Sequence, residues 1–599
     1  MSAASQQHVI DSLPAHLRPF VALQDYSAYT PRDQATWRFL LHQLRENLGQ
    51  TAHLVYLEGL ARTGIDLEEI PHIEQMNRCL QDIGWRAVVV DGFIPPAIFM
   101  EFQAHRILVV AVDMRSAQHM LYTPAPDIVH ESAGHAPFLV DVDYAEFLQR
   151  FGELGMRAVA SKGDMDVYEA IRRLSIAKEA VDSTAQAIAD AEQSLQDAFA
   201  ANETPSETAL LARLHWWTVE YGLVGDPDDY RIFGAGLLSS LGESMDCLDD
   251  TAVKKRRLTV DAINCPYDIT QQQPQLFVTK SCRHLSQVLE EFGRQMCVNL
   301  GGAASLEKAI AALTVNTAVT NAGVEISGQF SRVIKDAVGN ATYLQTAGPT
   351  QLAYQGEELA GHGTAQHAAG FGSPVGRIQA MERCLSSYTV DELQQNGIAT
   401  EQLVCLEFLS GITVRGLLAR IVRAQQKNLL LSFEQCTVTA PDGEVLFDPA
   451  WGVYDMTVGD AIVSVYGGSA DQRTYPMYQA PSSQVTENVE CDAATKVYFA
   501  LYARVRTLRT AAPGSAAGEA ALLVDLLRDI AAQAADEWLL LFEGVELAQQ
   551  YGLAKSDYLT LVERLQRLSA SSGTTAVNDQ QGCLINYGLS RLGVQAATV

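Results

Sequence analysis

The amino-acid sequence predicts a multidomain α+β protein: a mostly α-helical domain with a small β element, then a β-rich domain, then C-terminal helices. At 599 residues the chain is longer than one ordinary hydrophobic core accommodates. Apolar residues recur at helical spacing from about residue 30 to 290 and again beyond 493. Between about 329 and 468 the pattern changes to short β-rich runs separated by turn signals, which is typical of strands.

The first predicted domain covers residues 29–300 and follows an N-terminal extension, residues 1–28. Apolar spacing predicts helices at 36–48, 53–62 and 73–83. The runs WRAVVV at 85–90 and ILVVAV at 107–112 predict the small β element. An alanine- and glutamine-rich stretch at 177–201 is polar on most faces, so we expect a helical surface insertion over about 155–210.

The second half of the chain is expected to form a β-rich domain at 301–470 and a helical region at 486–599. Strands are predicted at 341–345, 402–408, 429–433 and 444–447. Residues 469–485 contain two prolines and many polar residues, which indicates a linker or long loop. Helices are predicted at 493–509, 518–543 and 556–568.

Composition excludes several classes of function. The chain is 48% apolar and 19% charged, with a formal net charge of −28, which favours a folded protein and not a nucleic-acid binder. Its short basic cluster, Lys254–Arg257, is interpreted as a solvated face or a helix end. No apolar run is long enough to cross a membrane, and the N-terminus does not resemble a signal peptide. Ten scattered cysteines indicate reduced thiols, so we expect a cytoplasmic protein.

One pair of histidines, His130 and His135 in the string HESAGH, has the residue types of a metal site. On a regular α-helix the two imidazoles would diverge by about 140°. They converge only if the backbone leaves that geometry, which Gly134 and Pro137 make plausible. Two neutral imidazoles and one carboxylate suit iron(II) that keeps positions open for O2 and substrate.

A second pair, His362 and His367, has the same spacing, so spacing alone does not distinguish the two pairs. It lies in a Gly/Ala-rich segment, GHGTAQHAAG, with Glu357 and Glu358 as the nearest carboxylates in the sequence. We interpret this segment as a structural or interface loop, with an accessory metal site as the alternative.

Four blocks around the first pair carry a resemblance to a known family. They are Gly59–Leu60 with Ile70–Pro71, Gly84–Arg115, Tyr122–Pro137 and Trp216–Glu243, the last of which contains WWTVEYGLV and FGAGLLSSLGE. Over residues 29–282 the sequence resembles the pterin-dependent aromatic amino acid hydroxylases. The resemblance implies an iron(II) site, a tetrahydropterin cofactor, O2 as co-substrate and hydroxylation of an aromatic amino acid ring.

The resemblance also implies roles for matching positions. The iron ligands would be His130, His135 and Glu220. The substrate would contact Arg115, which grips its carboxylate, together with Thr123, Asp127, Trp216 and Ser239. The pterin would contact Gly92, Ile94, Phe99 and Glu131. His215 stands where the family usually has an aromatic residue, so we expect it to hydrogen-bond near the ligands.

Several alternatives stay open at this point. Phenylalanine, converted to tyrosine, is the expected substrate by analogy with bacterial relatives, while tryptophan, tyrosine or another ring position are alternatives. A zinc-type hydrolase using His130, His135 and Glu131 would need neither O2 nor a reductant, and an inactive binding protein would need no reaction at all. The C-terminal region is expected to mediate formation of a homo-oligomer or contact with a partner.

Overall fold

The chain folds into helices and sheets in the predicted order. The computed structural model describes residues 5–91, 94–121, 126–179, 183–202, 204–269, 272–478, 492–510, 516–570 and 576–594. Two predicted site residues, Gly92 and Thr123, lie outside the described residues. The α+β class is confirmed, with a helical first part, a β-rich middle part and helices at the C-terminal end.

The first part is mostly helical. Its α-helices are α1 (Gln6–Ser12), α2 (Pro31–Thr51), α3 (Val55–Arg62), α4 (Ile73–Leu80), α5 (Pro96–Ala104), α6 (Val142–Gly155), α7 (Lys162–Glu179), α8 (Ala185–Ala201), α9 (Glu207–His215), α10 (Ala235–Ser239), α11 (Leu241–Asp246), α12 (Cys282–Gly293), α13 (Cys297–Leu300) and α14 (Gly302–Ala312). Two short π-helices, His130–His135 and Trp216–Glu220, interrupt the regular pattern. The region predicted as a helical insertion contains the helices α7 and α8, which a small apolar cluster joins.

Two sheets belong to this part, and the sequence predicted one of them. Strands β1 (Arg86–Val90) and β2 (Ile107–Ala111) pair in parallel as the small β element. The other sheet has the order β4-β3-β6-β5 and consists of β3 (Gly222–Asp226), β4 (Asp229–Ile232), β5 (Lys254–Arg257) and β6 (Gln275–Thr279). The interpretation of Lys254–Arg257 as a helix end was therefore wrong. Its charged residues lack the alternation that marks a strand, and pairing with β6 fixes them in one.

The first strand of the β-rich middle part begins at residue 315, ahead of the β-rich pattern that the sequence shows from about residue 329. A six-stranded antiparallel sheet has the order β10-β9-β8-β7-β17, with β11 also paired to β9, and a five-stranded one has the order β12-β13-β14-β15, with β16 paired to β14. The elements are β7 (Val315–Thr320), β8 (Val324–Lys335), β9 (Ala341–Tyr354), β10 (Glu357–Glu358), β11 (Gly372–Pro374), α15 (Val390–Gln395), β12 (Gln402–Glu407), β13 (Thr413–Ala424), β14 (Lys427–Thr439), β15 (Val445–Phe447), β16 (Tyr454–Thr457) and β17 (Ile462–Gly467).

The C-terminal helices pack on the first part of the chain. They are α16 (Ala493–Thr510), α17 (Ala516–Gln533), α18 (Trp538–Gln550), α19 (Lys555–Ala570) and α20 (Ala576–Arg591). The single helix predicted at 518–543 is two helices, because the chain reverses after α17 so that α18 is surrounded by α2, α16, α17, α19 and α20. Buried side chains of α2 and α18, such as Phe39 and Phe542, belong to one continuous core. Among the described residues no helix is long and apolar enough to span a membrane.

Candidate functional site

The two π-helices place the predicted ligands side by side. A π-helix bonds residue i to residue i+5, so residues five apart lie one above the other. The Ala136 N–H donates to the carbonyl of Glu131, and the Tyr221 N–H donates to the carbonyl of Trp216. The wider turn of the π-helix brings His130 and His135 to the same side, so their imidazoles converge. Gly134 permits close packing here, because a Cβ at this position would lie 2.8 Å from the Ala235 carbonyl oxygen.

The three predicted ligand residues meet at short distances, with one oxygen of Glu220 toward each histidine. His130 Nε2 lies 3.1 Å from His135 Nε2 and 3.1 Å from Glu220 Oε2, while His135 Nε2 lies 3.4 Å from Glu220 Oε1. Adjacent ligands of an octahedral ion with bonds of about 2.1–2.2 Å are about 3.0 Å apart. The spacings between the two imidazole nitrogens, and from each to its nearer oxygen of Glu220, therefore fit neighbouring ligands of one such ion.

Ser239 orients the ring of His130. The Ser239 hydroxyl donates to the Ala235 carbonyl at 2.8 Å, so its oxygen accepts from His130 Nδ1 at 3.0 Å. This contact leaves Nε2 as the ring nitrogen that faces Glu220. Burial would raise the pKa of Glu220, but His135 and His130 hold that pKa well below its usual range. Two imidazoles and an ionised carboxylate at these distances fit a divalent metal.

Glu131, the other carboxylate near the pair, is less well placed as a ligand. Its Oε2 lies 3.9 Å from His135 Nε2, farther than Glu220 Oε1, which lies at 3.4 Å. Its side chain is buried, and burial raises its pKa to about 8, with His135 opposing the shift and Glu220 adding to it. These contacts favour Glu220 as the third ligand.

Arg115 is held rigidly at one side of the site. Its Nε donates to Asp127 Oδ2 at 2.7 Å, its Nη2 donates to Asp127 Oδ1 at 2.6 Å, and its Nη1 donates to the Ser239 carbonyl at 2.7 Å. Burial would raise the pKa of Asp127, but Arg115 keeps it below its usual value. Asp127 also accepts from the backbone N–H of His130 at 3.0 Å, so it links the arginine to the ligand helix. Guanidinium N–H groups beyond those three bonds are suited to a ligand carboxylate.

Trp216 belongs to a stack of three aromatic rings. The Tyr267 ring stacks on the Trp216 ring with centroids 4.3 Å apart, and the Tyr221 ring also stacks on Trp216, with centroids 4.6 Å apart. The Tyr221 hydroxyl in turn donates to Glu243 Oε2 at 2.9 Å. Sequence reasoning missed Tyr267 because no motif connects it to Trp216.

The predicted pterin contacts lie on and around α5. Phe99 is partly buried, and its ring meets that of His215 edge to face, with centroids 6.0 Å apart. Ile94 packs against the cluster formed by α1, β1 and β2.

His215 lies beside the ligands, as its position predicted. Its Nδ1 is 3.5 Å from Glu220 Oε1, and its ring contacts that of Phe151 at 5.2 Å. Burial lowers its pKa to about 4; Glu220 opposes this shift, and His135 and His130 add to it. Among the described residues, no hydrogen-bond partner reaches its Nε2.

Comparison with known proteins establishes the family. The family model of the biopterin-dependent aromatic amino acid hydroxylases matches residues 23–175 and 185–335, about half of the chain. The unmatched residues between these ranges begin within the last turn of α7, and the match continues through α14 and β7 to the end of β8. The chain belongs to this family, so it is a pterin-dependent aromatic amino acid monooxygenase. Its cofactors are iron and a tetrahydropterin, with O2 as co-substrate.

Individual relatives agree with this assignment. The chain is 30% identical over 264 residues to phenylalanine-4-hydroxylase of Pseudomonas aeruginosa, covering 44% of this chain and 84% of the relative. It is 29% identical over 268 residues to the enzyme of that name from Chromobacterium violaceum, covering 44% and 75%. A crystal structure of the C. violaceum enzyme with iron(III) and 7,8-dihydrobiopterin aligns with a TM-score of 0.37 at 27% identity, over 49% of this chain and 92% of that one.

Proposed function

We propose that the protein hydroxylates the ring of phenylalanine to give tyrosine, at an iron held by His130, His135 and Glu220. The observation that carries this proposal is the meeting of the three ligand residues, with His130 Nε2 3.1 Å from His135 Nε2 and the two Glu220 oxygens 3.1 and 3.4 Å from the two histidines. Curated relatives named phenylalanine-4-hydroxylase support phenylalanine as the substrate. Tryptophan, tyrosine or another ring position are the alternatives within the same chemistry.

The protein's main contribution is to hold the ligands in place and keep their lone pairs available. When bound, the iron and the tetrahydropterin together supply the electrons that activate O2. Ser239 fixes the ring orientation and tautomer of His130, and the neighbouring imidazoles keep Glu220 ionised. Three protein ligands would leave further positions on the iron open for O2. No side chain has to act as a nucleophile.

The substrate is positioned by charge at one end and by aromatic contact at the other. Arg115 would bind the carboxylate of the amino acid, with Asp127 holding the guanidinium in a fixed plane. Ser239 accepts from both Arg115 and His130, so the carboxylate site and the metal site share one support. The stacked ring of Trp216 would limit where the substrate ring lies.

The pterin is proposed to bind near Phe99, Ile94 and Glu131, with Phe99 stacking on its ring system. Gly92 and Thr123 keep their proposed roles toward pterin and substrate. A hydrolase using Glu131 is disfavoured, because Glu131 lies farther from His135 than Glu220 does.

The test is to load the full-length protein with iron(II) without oxygen and then add O2, a tetrahydropterin and one aromatic amino acid. We expect tyrosine from phenylalanine, resolved by mass and ring position. Glu220→Gln should lose iron, whereas the control Glu153→Gln, at an exposed position of α6, should keep iron and turnover. Hydrolysis of an added substrate in the absence of O2, or full activity of Glu220→Gln, would contradict the proposal.

Arg115→Lys separates substrate binding from metal binding. A lysine keeps the charge but loses the planar donor pair toward the carboxylate. We expect KM for phenylalanine to rise at least tenfold with iron content unchanged. An unchanged KM would remove Arg115 from the proposed substrate site.

We also propose that the enzyme works in the cytoplasm and that its C-terminal region contributes to a homo-oligomer. The nine described cysteines are all free, which agrees with a reducing compartment. Sedimentation of the full chain at several concentrations would test the oligomer.

A further inference from the structure

The second histidine pair forms a buried cluster with a carboxylate that is remote in the sequence. His362 and His367 lie in the loop between β10 and β11, and Asp455 lies on β16. The side chains of His362, His367 and Asp455 are only 1%, 9% and 3% exposed. Glu357 and Glu358, the carboxylates nearest in sequence, are not the ones that face both rings. The tertiary structure thus supplies the third residue that the sequence left open.

The protein backbone holds these three residues firmly. The Leu352 N–H donates to the His362 carbonyl at 2.9 Å, and the Thr350 N–H donates to the His367 carbonyl at 3.1 Å. The loop is therefore attached to β9 at both histidines. On the other side, the Ser432 hydroxyl donates to Asp455 Oδ1 at 2.5 Å, while Asp455 Oδ2 faces the two imidazoles.

The distances within the cluster fit metal ligands better than hydrogen bonds. His362 Nδ1 lies 3.4 Å from His367 Nε2 and 3.6 Å from Asp455 Oδ2, and His367 Nε2 lies 3.9 Å from the same oxygen. Hydrogen bonds from nitrogen usually span about 2.7–3.2 Å. Ligands of a tetrahedral ion with bonds of about 2.0–2.2 Å are about 3.3–3.6 Å apart. The separations of 3.4 and 3.6 Å fall within that range, and the separation of 3.9 Å exceeds its upper limit by about 0.3 Å.

We propose that His362, His367 and Asp455 bind a structural divalent cation, most suitably zinc, that joins the two sheets of the β-rich part. The histidines are anchored to β9 of the six-stranded sheet, and Asp455 belongs to the five-stranded sheet. A cation bound by both would tie the two sheets together at this point. Zinc suits two imidazoles and a carboxylate at tetrahedral spacing.

Without a cation, Arg420 forms a hydrogen bond to His362 that a bound cation would have to displace. Its Nη2 donates to His362 Nε2 at 2.7 Å, which requires the proton of a neutral His362 to be on Nδ1. A cation on Nδ1 moves that proton to Nε2 and displaces the guanidinium, which is feasible because Arg420 is exposed. Arg420→Gln offers a carbonyl oxygen to the Nε2–H, so we expect it to bind zinc several-fold more tightly than the wild type.

The test uses the full-length protein stripped with a chelator and titrated with zinc chloride alone. Zinc bound per chain is measured by mass spectrometry of the metal, and thermal unfolding is followed in parallel. Using Glu220→Gln as background removes the catalytic metal site. We expect this protein to bind one zinc ion, with a rise in Tm of about 5 °C at saturation. Cobalt(II) in place of zinc should give the intense visible absorption of a tetrahedral site. This spectrum reports on the site without substitution of any of its three ligands.

Asp455→Asn and His367→Gln, made in the same background, should lower zinc affinity on the order of a hundredfold and abolish the rise in Tm. Glu358→Gln, a neighbouring carboxylate, is the matched control and should bind zinc like the background protein. In the protein with Glu220 intact, Asp455→Asn should keep iron and hydroxylation, so this test is independent of the proposed function. Absence of zinc and of the cobalt spectrum in the Glu220→Gln protein would overturn the proposal, as would unchanged affinity in folded Asp455→Asn.

Discussion

A buried ion-pair cluster attaches the C-terminal helices to α2 in the first, mostly helical part of the chain. Glu546 on α18 is at its centre. Glu546 contacts Arg38 of α2, Arg509 of α16, at 2.7 Å, and Arg591 of α20. Its side chain is 4% exposed. Glu543, one turn earlier, pairs with Arg38 at 3.1 Å and with Arg509 at 3.0 Å. The variant Glu546→Gln removes one negative charge while keeping the shape and one hydrogen-bond acceptor.

The expected cost follows from burial and from the number of partners. Removing one member of a buried charge network costs about 3–5 kcal/mol, because the remaining charges cannot recover their hydration. Since Glu543 stays and glutamine still accepts one hydrogen bond, we expect about 3 kcal/mol, at the lower limit of that range. This corresponds to a loss of protection against hydrogen exchange in α18 on the order of a hundredfold.

Hydrogen exchange followed by mass spectrometry is the suitable assay, because a multidomain chain need not unfold in one step. Exchange in α18 and α20 should accelerate, while exchange in β8 and β9 stays unchanged. The control is Glu563→Gln, at an exposed position on α19. If exchange in α18 is unchanged, or accelerates equally in the control, the cluster does not hold the helices.

The same cluster predicts a pH dependence. Burial would raise the pKa of Glu546, but Arg509, Arg38 and Arg591 lower it from 4.5 to about 2. Because the folded-state pKa is lowered, the stabilisation is complete above pH 4.5 and is lost as the pH falls toward 2. The difference between wild type and Glu546→Gln should therefore diminish across that window, and a constant difference would refute the assignment.

Three further substitutions test the catalytic part. In Gly59→Ala the new Cβ would lie 2.2 Å from the Pro137 carbonyl oxygen, so we expect weaker iron retention and a loss of about 1–3 kcal/mol in urea unfolding. Asp127→Asn leaves Arg115 without its charge partner, so kcat/KM for the amino acid should fall about a hundredfold, and an unchanged value would contradict this reasoning. His215→Phe removes a buried nitrogen that has no described partner while keeping the aromatic contacts, so thermal unfolding should show a gain of about 1 kcal/mol; a loss would indicate that the contact with Glu220 dominates.

Much of the site could be predicted because its signals are local. The motif strings that contain His130, Trp216 and Glu220 identify, from neighbouring residues alone, positions that the fold brings together. The need for His130 and His135 to converge also follows from helix geometry alone, and the π-helix fulfils it. Tyr267 could not be predicted, because the ring contact that brings it to Trp216 is made across the fold.

The fold was less predictable where elements depend on distant partners. Lys254–Arg257 is a strand because it pairs with β6, although its own residues give no strand signal. The split between α17 and α18 was missed because both halves are apolar and helix-forming, so helical spacing continues across the reversal. Apolar spacing shows that a helix has a partner, but it does not identify that partner.

The sequence by itself determined the family, the α+β class and the identity of the two histidine pairs, because periodicity and motif strings are properties of neighbouring residues. Tertiary structure alone decided that the C-terminal helices share a core with α2, and that Glu546 meets three arginines from three helices. It also placed Asp455 beside the second histidine pair. Spacing along the chain does not encode such contacts, because they depend on how buried surfaces pack.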